Sequence, residues 1–493
     1  MVQHSAAEVS AVSAALARNK LGVPKVSGIV LSSVAPLTVA AGVVTTAFAV
    51  TGLSGVPVAF AAVALVLAVF AVGYTAMARH ITNAGAFYGF LTRGLGRPIG
   101  VGGALVALVS YTLLQVGLYG GIGPAAAGYF ADNFGINAPW VVFALGAWAL
   151  VAVLGQVGVS FGAWVLGVLL SLEVVVLSAL TLRGLAHPAD GRVSLAALNP
   201  AHLTTGVGPA LAIAVLGFAG FEQVATLSEE ARRPHVTIPV ATGLALGVIG
   251  VLFAASSWAL PVHYGGRVVA LAQQQGPQML FNLGPGLLSG AARTLFLTSL
   301  FAAALAFHGP CWRYMFALGR EHVLPSVLAR TGTTGVPRIA SAVQSTIGLG
   351  VILLYAAAGW DPLTKLFFWL GTAGGTGLLI LLAATSAAVV RFFAQGTRGE
   401  TAWRRLIAPL ISGVLLMAMV WLCLRNYSTL LGVAPGSRAA WMLPGVYPAA
   451  FALGLAWALV LKTRRPEVYQ QIGQRSYATL TEPTPARPLA LEG

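Results

Sequence analysis

Twelve apolar segments of about 20 to 30 residues follow one another through this sequence, and they constrain its fold more than any other feature. A helix needs about 20 apolar residues to cross the hydrocarbon core of a bilayer, so each segment is long enough to span a membrane. We therefore predict an all-α polytopic membrane protein with twelve transmembrane helices. The predicted spans are 27–52, 55–79, 99–128, 139–158, 160–183, 206–228, 237–261, 288–313, 338–358, 363–391, 405–425 and 442–462.

The composition and the distribution of charge agree with this prediction. Only 8% of the 493 residues are charged and 57% are hydrophobic, whereas soluble domains carry about 25% charged residues. The formal net charge of +15 would suit a nucleic-acid-binding protein, but 21 of the 28 lysines and arginines lie on one side of the predicted bundle. Basic loops remain on the cytoplasmic side of a membrane. We expect a cell-membrane protein with both termini cytoplasmic and with no nucleic-acid partner.

Two of the spans contain features that interrupt a membrane helix. Span 1 has Pro36 in its middle, flanked by the hydroxyl groups of Ser33 and Thr38, and span 6 has Gly220 and Glu222 close to its middle. An unpaired backbone group in hydrocarbon costs several kcal/mol, so broken helices survive only where they are buried or line a cavity. Either feature alone is common as a proline kink or a glycine packing contact, but the two occur at corresponding positions.

The two interrupted spans are the first spans of two successive blocks of five. Interrupted segments at corresponding positions of two halves indicate a midplane binding site in an inverted-repeat transporter. The half-helix N-termini attract a carboxylate, and the carbonyl groups of half-helix C-termini suit an ammonium, so the breaks could clamp a zwitterion. The predicted parts are a cytoplasmic tail at 1–26, a first repeat at 27–183, a second inverted repeat at 206–391, two further helices at 405–462 and a disordered cytoplasmic tail at 463–493.

Acidic residues inside the predicted spans are rare. Of the thirteen acids, only Glu173 and Glu222 lie well within a span. A charge at mid-membrane is costly, so an acid placed there is more often functional than structural. We expect one of the two to carry a coupling proton, with Glu173 preferred for its mid-helix position, and the other to hydrogen-bond a neighbouring helix. His308 in span 8 is a further coupling candidate, although a lone buried histidine is more often structural.

Span 3 carries a polar stripe formed by Tyr111, Gln115 and Tyr119. The intervals of four residues place the three side chains on one face of a helix, where they contact either a substrate or neighbouring helices. The sequence contains no zinc, P-loop or dinucleotide-binding pattern, and it shows no pairing of a nucleophile with a base. We therefore expect no metal, no cofactor and no enzymatic activity.

Three motifs resemble amino-acid permeases of the amino acid–polyamine–organocation superfamily, in the order that this family has them. The stretch GFAGFEQVATLSEEARRPHVTIP at 217–239 is similar to the family's sixth helix and its cytoplasmic exit. The stretch ARHITNAGAFYGFLTRGLGRPIG at 78–100 is similar to the end of helix 2, and FHGPCWRYMFALGREHVLP at 307–325 is similar to helix 8 and the loop after it. The resemblance extends over nearly all of 27–462.

The resemblance implies a fold of five-plus-five inverted repeats, with broken helices 1 and 6, and two further helices. It also implies substrate contacts. The residues that correspond to the segment whose amides hold the substrate carboxylate are Ala40, Ala41 and Gly42. The residues that correspond to the unwound part of helix 6, where carbonyl groups accept the amine, are Leu216, Gly217, Phe218 and Ala219. Tyr111 and Gln115 are added from the polar stripe of span 3, and Phe218 or Phe221 would close over the substrate.

The resemblance also bears on the two buried acids. Glu222 matches the acid of the family's sixth helix, while Glu173 aligns with a position where some proton-coupled relatives have a lysine. Glutamate in place of lysine leaves open whether a proton or sodium is the coupling ion. The segment Ala-Ala-Gly at 40–42 replaces the Gly-Ser-Gly of many relatives, so backbone binding is retained and a serine contact is lost.

Together these features predict a secondary active transporter that moves amino acids across the cell membrane by alternating access, coupled to protons. Two alternatives keep the same fold, namely a polyamine or organic-cation carrier and an obligate amino-acid exchanger. A substrate sensor or a channel, which would accumulate nothing, is the alternative of another class. The expected partners are an amino acid or amine, a proton and the lipid bilayer, and the sequence leaves the oligomeric state open.

Overall fold

The computed structural model describes residues 16, 19–157, 159–203, 206–332 and 335–473, with the side chains of 159 and 160 left out. Within these residues the chain is helical, apart from its loops and one isolated backbone bridge between Leu21 and Ala231. The predicted all-α polytopic class is therefore confirmed. Most of the predicted tails at 1–26 and 463–493 lies outside the described residues, while the described part of the second tail contains a short helix, Pro466–Gln471.

Twelve apolar helices, here named α1 to α12, follow the twelve predicted spans in order within the described residues. Eleven of them are long and apolar enough to cross a membrane, while α4 has only 15 residues. The number of membrane crossings and the inverted repeat therefore stay predictions. The helices are α1 Val23–Thr51, α2 Val56–Ala78, α3 Arg97–Phe134, α4 Trp140–Leu154, α5 Val159–Ala186, α6 Val207–Leu227, α7 Pro234–Tyr264, α8 Gly286–Arg320, α9 Arg338–Ala357, α10 Pro362–Ala394, α11 Trp403–Arg425 and α12 Arg438–Arg464.

Local sequence accounts for where many of these helices begin and end. Pro57 and Pro98 stand in the first turns of α2 and α3, where the missing N–H of proline has no helical partner to lose. Gly52 and Gly135 follow α1 and α3 with φ of 67° and 68°. This left-handed conformation is the usual way for a helix to end, because glycine adopts it without a Cβ penalty.

The two interrupted helices, α1 and α6, occupy the interior of the bundle. In their most apolar stretches 89% and 83% of the residues are buried, compared with 22% in α12 and 33% in α9. Helix α1 packs against α5, α7 and α8, and the first half of α6 packs against α2 and α11. Helix α3 packs against α8, α10 and α12. The breaks are thus shielded from lipid, as the cost of unpaired backbone groups requires.

Candidate substrate site

Helix α1 is interrupted in the middle of the bundle, at Ala35 and Pro36. The helix Val23–Val34 ends at Ala35, whose φ of 52° is left-handed. Pro36 has no N–H, so the carbonyl group one turn earlier loses its helical partner. The chain then continues through a π-helical turn, Val39–Val43, before it resumes as a regular helix. The break predicted at Pro36 is confirmed.

Helix α6 is interrupted at the same depth and contacts the break in α1. Its first half, Val207–Gly217, is followed by Gly220 with φ of 113° and by a 3-10 helix, Phe221–Leu227. Ser33 Oγ lies 3.2 Å from the carbonyl oxygen of Gly220, to which it donates a hydrogen bond. A Cβ atom at Gly220 would come within 2.8 Å of that same Oγ. Glycine is therefore required here both by its conformation and by this close approach.

A cavity of about 170 Å³ lies between the two breaks and the neighbouring helices α3, α8 and α10. One water needs roughly 10–15 Å³ on this measure, so the cavity has room for a small organic molecule. Its polar side chains are the hydroxyl groups of Ser33, Thr38, Thr46 and Thr372. Most of the remaining lining is aliphatic or aromatic, and no ionisable side chain is among the described residues that line it.

The ends of three half-helices converge on this cavity and supply partial charges in place of charged side chains. Ser33 and Ala35, at the C-terminal end of the first half of α1, line the cavity, as do Leu216 and Gly217 at the end of the first half of α6. The last carbonyl groups of a helix have no intrahelical partner and carry partial negative charge. Thr38, in the first turn of the second half of α1, lines the cavity where N–H groups carry partial positive charge. The cavity therefore presents both signs of charge at short range.

Glu173 lies behind the break in α1 and is bonded to it through α8. Ser299 Oγ donates to Glu173 Oε2 at 2.8 Å and accepts from Thr38 Oγ1 at 3.0 Å. The backbone N–H of Leu37 lies beside the same carboxyl group. Glu173 Oε1 accepts no hydrogen bond from the residues that the structure describes, and the side chain is 1% exposed. This carboxyl group is therefore placed against a half-helix N-terminus and has unused acceptor capacity.

Glu222 is bonded within the break in α6 itself. Its Oε2 accepts from the backbone N–H of Gly220 at 2.9 Å, and its Oε1 accepts from the hydroxyl group of Tyr111 at 3.0 Å. Its own carbonyl oxygen accepts from the hydroxyl group of Tyr74 at 2.6 Å. Both carboxyl oxygens thus accept hydrogen bonds. The bonds from Tyr111 and Tyr74 hold the turn in α6 against α3 and α2.

Two buried ion pairs join the segment after α6 to the C-terminal part of α8, on one side of the cavity. Arg313 forms a bidentate pair with Glu230 at 2.7 and 3.2 Å, and its guanidinium lies 4.0 Å from the ring centroid of Trp312. Arg320 forms a second bidentate pair with Glu229 at 2.7 Å. The cavity lining extends the other way, towards Thr46, Phe368 and Leu430, where Phe368 is 37% exposed.

Comparison with known proteins places this arrangement in a family. Residues 21–445 match the family described as amino acid permease. The chain belongs to that family. The match covers α1 to α11 completely and the first residues of α12, and it includes both breaks and both buried ion pairs.

Several relatives of the permease are known only as uncharacterized transporters. One from Mycobacterium tuberculosis is 27% identical over 277 residues, which are 56% of this chain and 57% of the relative. A second from the same species is 23% identical over 348 residues, which are 63% of this chain and 69% of the relative. The chain thus spans a little over half the length of the first relative. These names support a membrane transporter and leave its substrate open.

The structure brings only part of the predicted substrate residues to the cavity. Leu216, Gly217 and Ala219 line it. The predicted residues that do not line it are Ala40, Ala41, Gly42, Tyr111, Gln115, Phe218 and Phe221. Ala40–Gly42 lies within the π-helical turn, beyond the break itself. Phe218 and Phe221, which were predicted to close over the substrate, pack away from the cavity. Phe218 contacts Phe60 and Phe253, while Phe221 contacts Phe70.

The polar stripe of α3 makes contacts between helices. Gln344 Nε2 of α9 donates to Gln115 Oε1 at 3.0 Å, and Gln115 Nε2 donates to the hydroxyl group of Tyr119 at 2.7 Å. Thr112 Oγ1 donates to Gln344 Oε1 at 3.3 Å. Tyr111 extends the stripe to Glu222, as described above. In this structure the stripe connects α3 with α6 and α9 rather than with the cavity.

His308 lies in α8 beside a separate, smaller cavity of about 60 Å³ between α1, α5 and α8. Its Nε2 lies 2.9 Å from Ser341 Oγ of α9. Arg313 and Gly155 line the same small cavity, and His308 does not line the larger one. The histidine is therefore placed between the main cavity and the end of the bundle that carries the ion pairs.

Several residues at the cavity were not singled out from sequence as substrate contacts. They are mainly the aromatic side chains of Phe307, Phe367 and Phe368, together with Gly371 and Thr372 of α10. The stretch GTAGGTG at 371–377 was an available signal, because a run of small residues permits close approach of other groups to the helix. The hydroxyl groups flanking Pro36 were a second signal, and two of them, Ser33 and Thr38, line the cavity.

Proposed function

We propose that this permease is a secondary active transporter that moves amino acids across the cell membrane by alternating access. The observation that carries the proposal is the cavity between two broken helices, where half-helix ends of both signs lie beside a space that no charged side chain of the described residues lines. Such a site suits a zwitterion, because each charged group of an α-amino acid finds a partial charge of opposite sign. Membership of the amino acid permease family supports the same reading.

In the proposed complex the carboxylate of the amino acid binds at the N-terminus of the second half of α1, near Thr38. The ammonium group binds the carbonyl groups at the ends of the first halves of α1 and α6, between Ser33 and Gly217. Backbone groups at helix termini are pre-oriented, so they replace the hydration of the charged groups without a large entropic cost. Aromatic side chains such as Phe307 then cover the remainder of the substrate.

Alternating access requires the cavity to open at either end in turn. The basic loops assign the end of the bundle that carries the buried ion pairs to the cytoplasm. The cavity extends away from that end, towards Phe368 and Leu430, so this conformation corresponds to an outward-oriented state in the proposed cycle. Separation of Arg313 from Glu230 and of Arg320 from Glu229 would open the cytoplasmic end.

We assign proton coupling to Glu173. Its ionised carboxylate and the carboxylate of the substrate would both be attracted to the N-terminus of the second half of α1. Protonation of Glu173 removes one of the two negative charges, so proton uptake and substrate binding favour each other. Glu222 is the weaker candidate, because both of its carboxyl oxygens already accept hydrogen bonds within the fold.

The test of this proposal is pH-driven uptake by the purified permease in liposomes, with a panel of labelled amino acids. The wild-type protein is expected to accumulate at least one of them when the outside is acidic. Glu173→Gln is expected to bind and exchange that substrate but to lose gradient-driven accumulation, because glutamine cannot release a proton. A panel without any saturable uptake would refute the transport function.

The matched control is Glu222→Gln, which alters the other buried acid. This variant is expected to be less stable, since glutamine keeps only one of the two acceptor oxygens, but to retain its response to the pH gradient. Undiminished accumulation by Glu173→Gln would show that Glu173 does not carry the coupling proton. A loss of the pH response in Glu222→Gln alone would assign proton coupling to Glu222 of α6 instead.

A further inference from the structure

The composition of the cavity lining restricts the side chain of the substrate. We propose that the permease takes neutral amino acids with apolar side chains, and that Gly371 of α10 sets the upper limit of side-chain size. This inference rests on the proposed function and specifies the substrate class of the same site. It depends on two observations, the absence of ionisable groups among the described lining residues and the open space beside Gly371.

A substrate with a charged side chain would find no partner in this cavity. Glu173 and Glu222 are the acids within the broken-helix region, but neither side chain lines the cavity. Transfer of an unpaired charge from water to such a site is strongly unfavourable. The half-helix ends are already required for the α-carboxylate and the α-ammonium. Basic and acidic amino acids and polyamines are therefore excluded.

An apolar side chain, in contrast, would be covered on most sides. Ile213 and Leu216 of α6, Phe307 of α8 and Phe367 of α10 provide aliphatic and aromatic surface. The area of apolar side chain removed from water drives binding to such a surface. Apart from Ser33 and Thr38, which lie at the sites proposed for the ammonium and carboxylate groups, the only polar side chains among the described lining residues are the hydroxyl groups of Thr46 and Thr372. The lining thus favours aliphatic and aromatic neutral amino acids.

Gly371 differs from the other glycines of the stretch 371–377. Gly374 and Gly377 are needed for helix packing, because a Cβ atom there would come within 2.7 Å of Ser110 O and 2.1 Å of Ser110 Oγ respectively. Gly371 lines the cavity, and a Cβ atom there would meet no atom within 4 Å. A side chain at position 371 therefore fits the fold and takes space from the substrate.

Gly117 of α3 is the other glycine whose position lines the cavity near α10. A Cβ atom at Gly117 would come within 3.1 Å of the carbonyl oxygen of Leu366. Substitution there would displace α10 as well as fill the cavity, so its effect on binding could not be assigned to size alone. Gly371 is thus the position at which substrate size can be changed without a change in helix packing.

The test uses ligand binding and uptake by the full-length permease in parallel. Binding of alanine, valine, leucine, phenylalanine, lysine, glutamate and putrescine is measured on the purified protein, and uptake of the same compounds is measured in liposomes. The wild type is expected to bind leucine or phenylalanine at least 10-fold more tightly than lysine, glutamate or putrescine. Gly371→Ala and Gly371→Val are expected to weaken binding of the larger substrates progressively, by about 10- to 200-fold per added carbon at a tight site, and to spare alanine.

The control is Gly243→Ala in α7, where the backbone is exposed on the outside of the bundle and a Cβ atom also meets nothing within 4 Å. It is expected to leave the order of affinities unchanged. Equal binding of charged and apolar compounds, or equal weakening of all ligands by Gly371→Val, would overturn the inference. Tight binding of leucine without uptake would refute the transport function and leave the inference intact. Saturable uptake of lysine would support the transport function and overturn the inference.

Discussion

The two buried glutamates of this permease differ in how many of their acceptor oxygens the fold uses. Glu222 accepts hydrogen bonds at both carboxyl oxygens, from Gly220 and Tyr111, whereas Glu173 accepts one from Ser299 at Oε2. A carboxyl group whose bonds are all made within the fold stabilises one conformation. A carboxyl group with unused capacity can exchange partners during a cycle. This difference is the reason for assigning structure to Glu222 and coupling to Glu173.

The hydroxyl group of Tyr111 is expected to contribute measurably to stability. Tyr111→Phe leaves the buried Oε1 of Glu222 without its donor, and an unsatisfied buried acceptor costs about 1–3 kcal/mol. Thermal unfolding of the purified protein should show a lower melting temperature for this variant. Tyr129→Phe is the control, since that hydroxyl group contacts Thr294 at an exposed site and its loss should change little. Equal melting temperatures for the two variants would contradict the proposed role of Tyr111.

The broken helices depend on single residues whose backbone departs from the right-handed helical conformation or lacks an N–H group. In α1 the break follows from Pro36 and the left-handed Ala35, and in α6 it follows from Gly220. Ser33 joins the two breaks through its hydrogen bond to Gly220 O. The two breaks are therefore in direct contact, and the cavity lies between them.

Gly220→Ala is expected to disrupt this junction. A left-handed conformation costs a non-glycine residue about 1–3 kcal/mol, and the new Cβ atom would in addition lie 2.8 Å from Ser33 Oγ. The variant should unfold at a lower temperature and lose substrate binding. Gly247→Ala, at an exposed helical position of α7 with no atom within 4 Å of the new Cβ atom, should keep both properties. Wild-type binding by Gly220→Ala would show that the junction is dispensable.

The cytoplasmic end of the proposed pathway is closed by contacts between distant parts of the chain. Glu230 pairs with Arg313 through its side chain, while its carbonyl oxygen accepts hydrogen bonds from the backbone N–H groups of Lys20 and Leu21 at 3.1 Å. The N–H of Arg232 returns a bond to Leu21 at 2.9 Å. Backbone bonds thus tie the segment before α1 to the segment after α6, and the ion pairs hold both against the end of α8. The two bonded segments are expected to move together, away from α8, when the ion pairs separate.

Removal of one ion-pair partner should favour the inward-open state. Breaking a buried pair costs about 3–5 kcal/mol, because the remaining charge is left without compensation. Glu230→Gln is therefore expected to open the small cavity between α1, α5 and α8, where Ile29 lies buried. The measurement is the rate at which a thiol reagent labels Ile29→Cys from the cytoplasmic side, in a background that carries Cys311→Ala and Cys423→Ala.

Glu400→Gln is the control for this experiment. It removes a pair with Arg79, whose side chain is 33% exposed, so the loss should be small. Faster labelling of Ile29→Cys in Glu230→Gln than in Glu400→Gln is the expected result. Identical rates in both backgrounds would show that the buried pair does not control access from that side.

Sequence alone establishes the membrane-spanning class, the order of the helices and the two breaks in this permease. These features are local, since a long apolar run, a proline in mid-span and a glycine beside a buried acid can each be recognised within one continuous stretch of sequence. The family motifs are likewise contiguous, so the resemblance drawn from three of them agrees with the match over 21–445. The same reasoning did not establish which side chains line the cavity.

The direction in which a side chain points depends on how the helices pack and on small changes of helical pitch. Val39 and Val43, at the two ends of the π-helical turn, line the cavity, whereas Ala40–Gly42 between them do not. Phe218 packs against Phe60 of α2 and Phe253 of α7 instead of lining the cavity, and Gln115 bonds to α9. No helical period can reveal such contacts, since they join residues on different helices that lie far apart in the sequence. Tertiary packing therefore selects the cavity lining from residues that the sequence could only place at the correct depth.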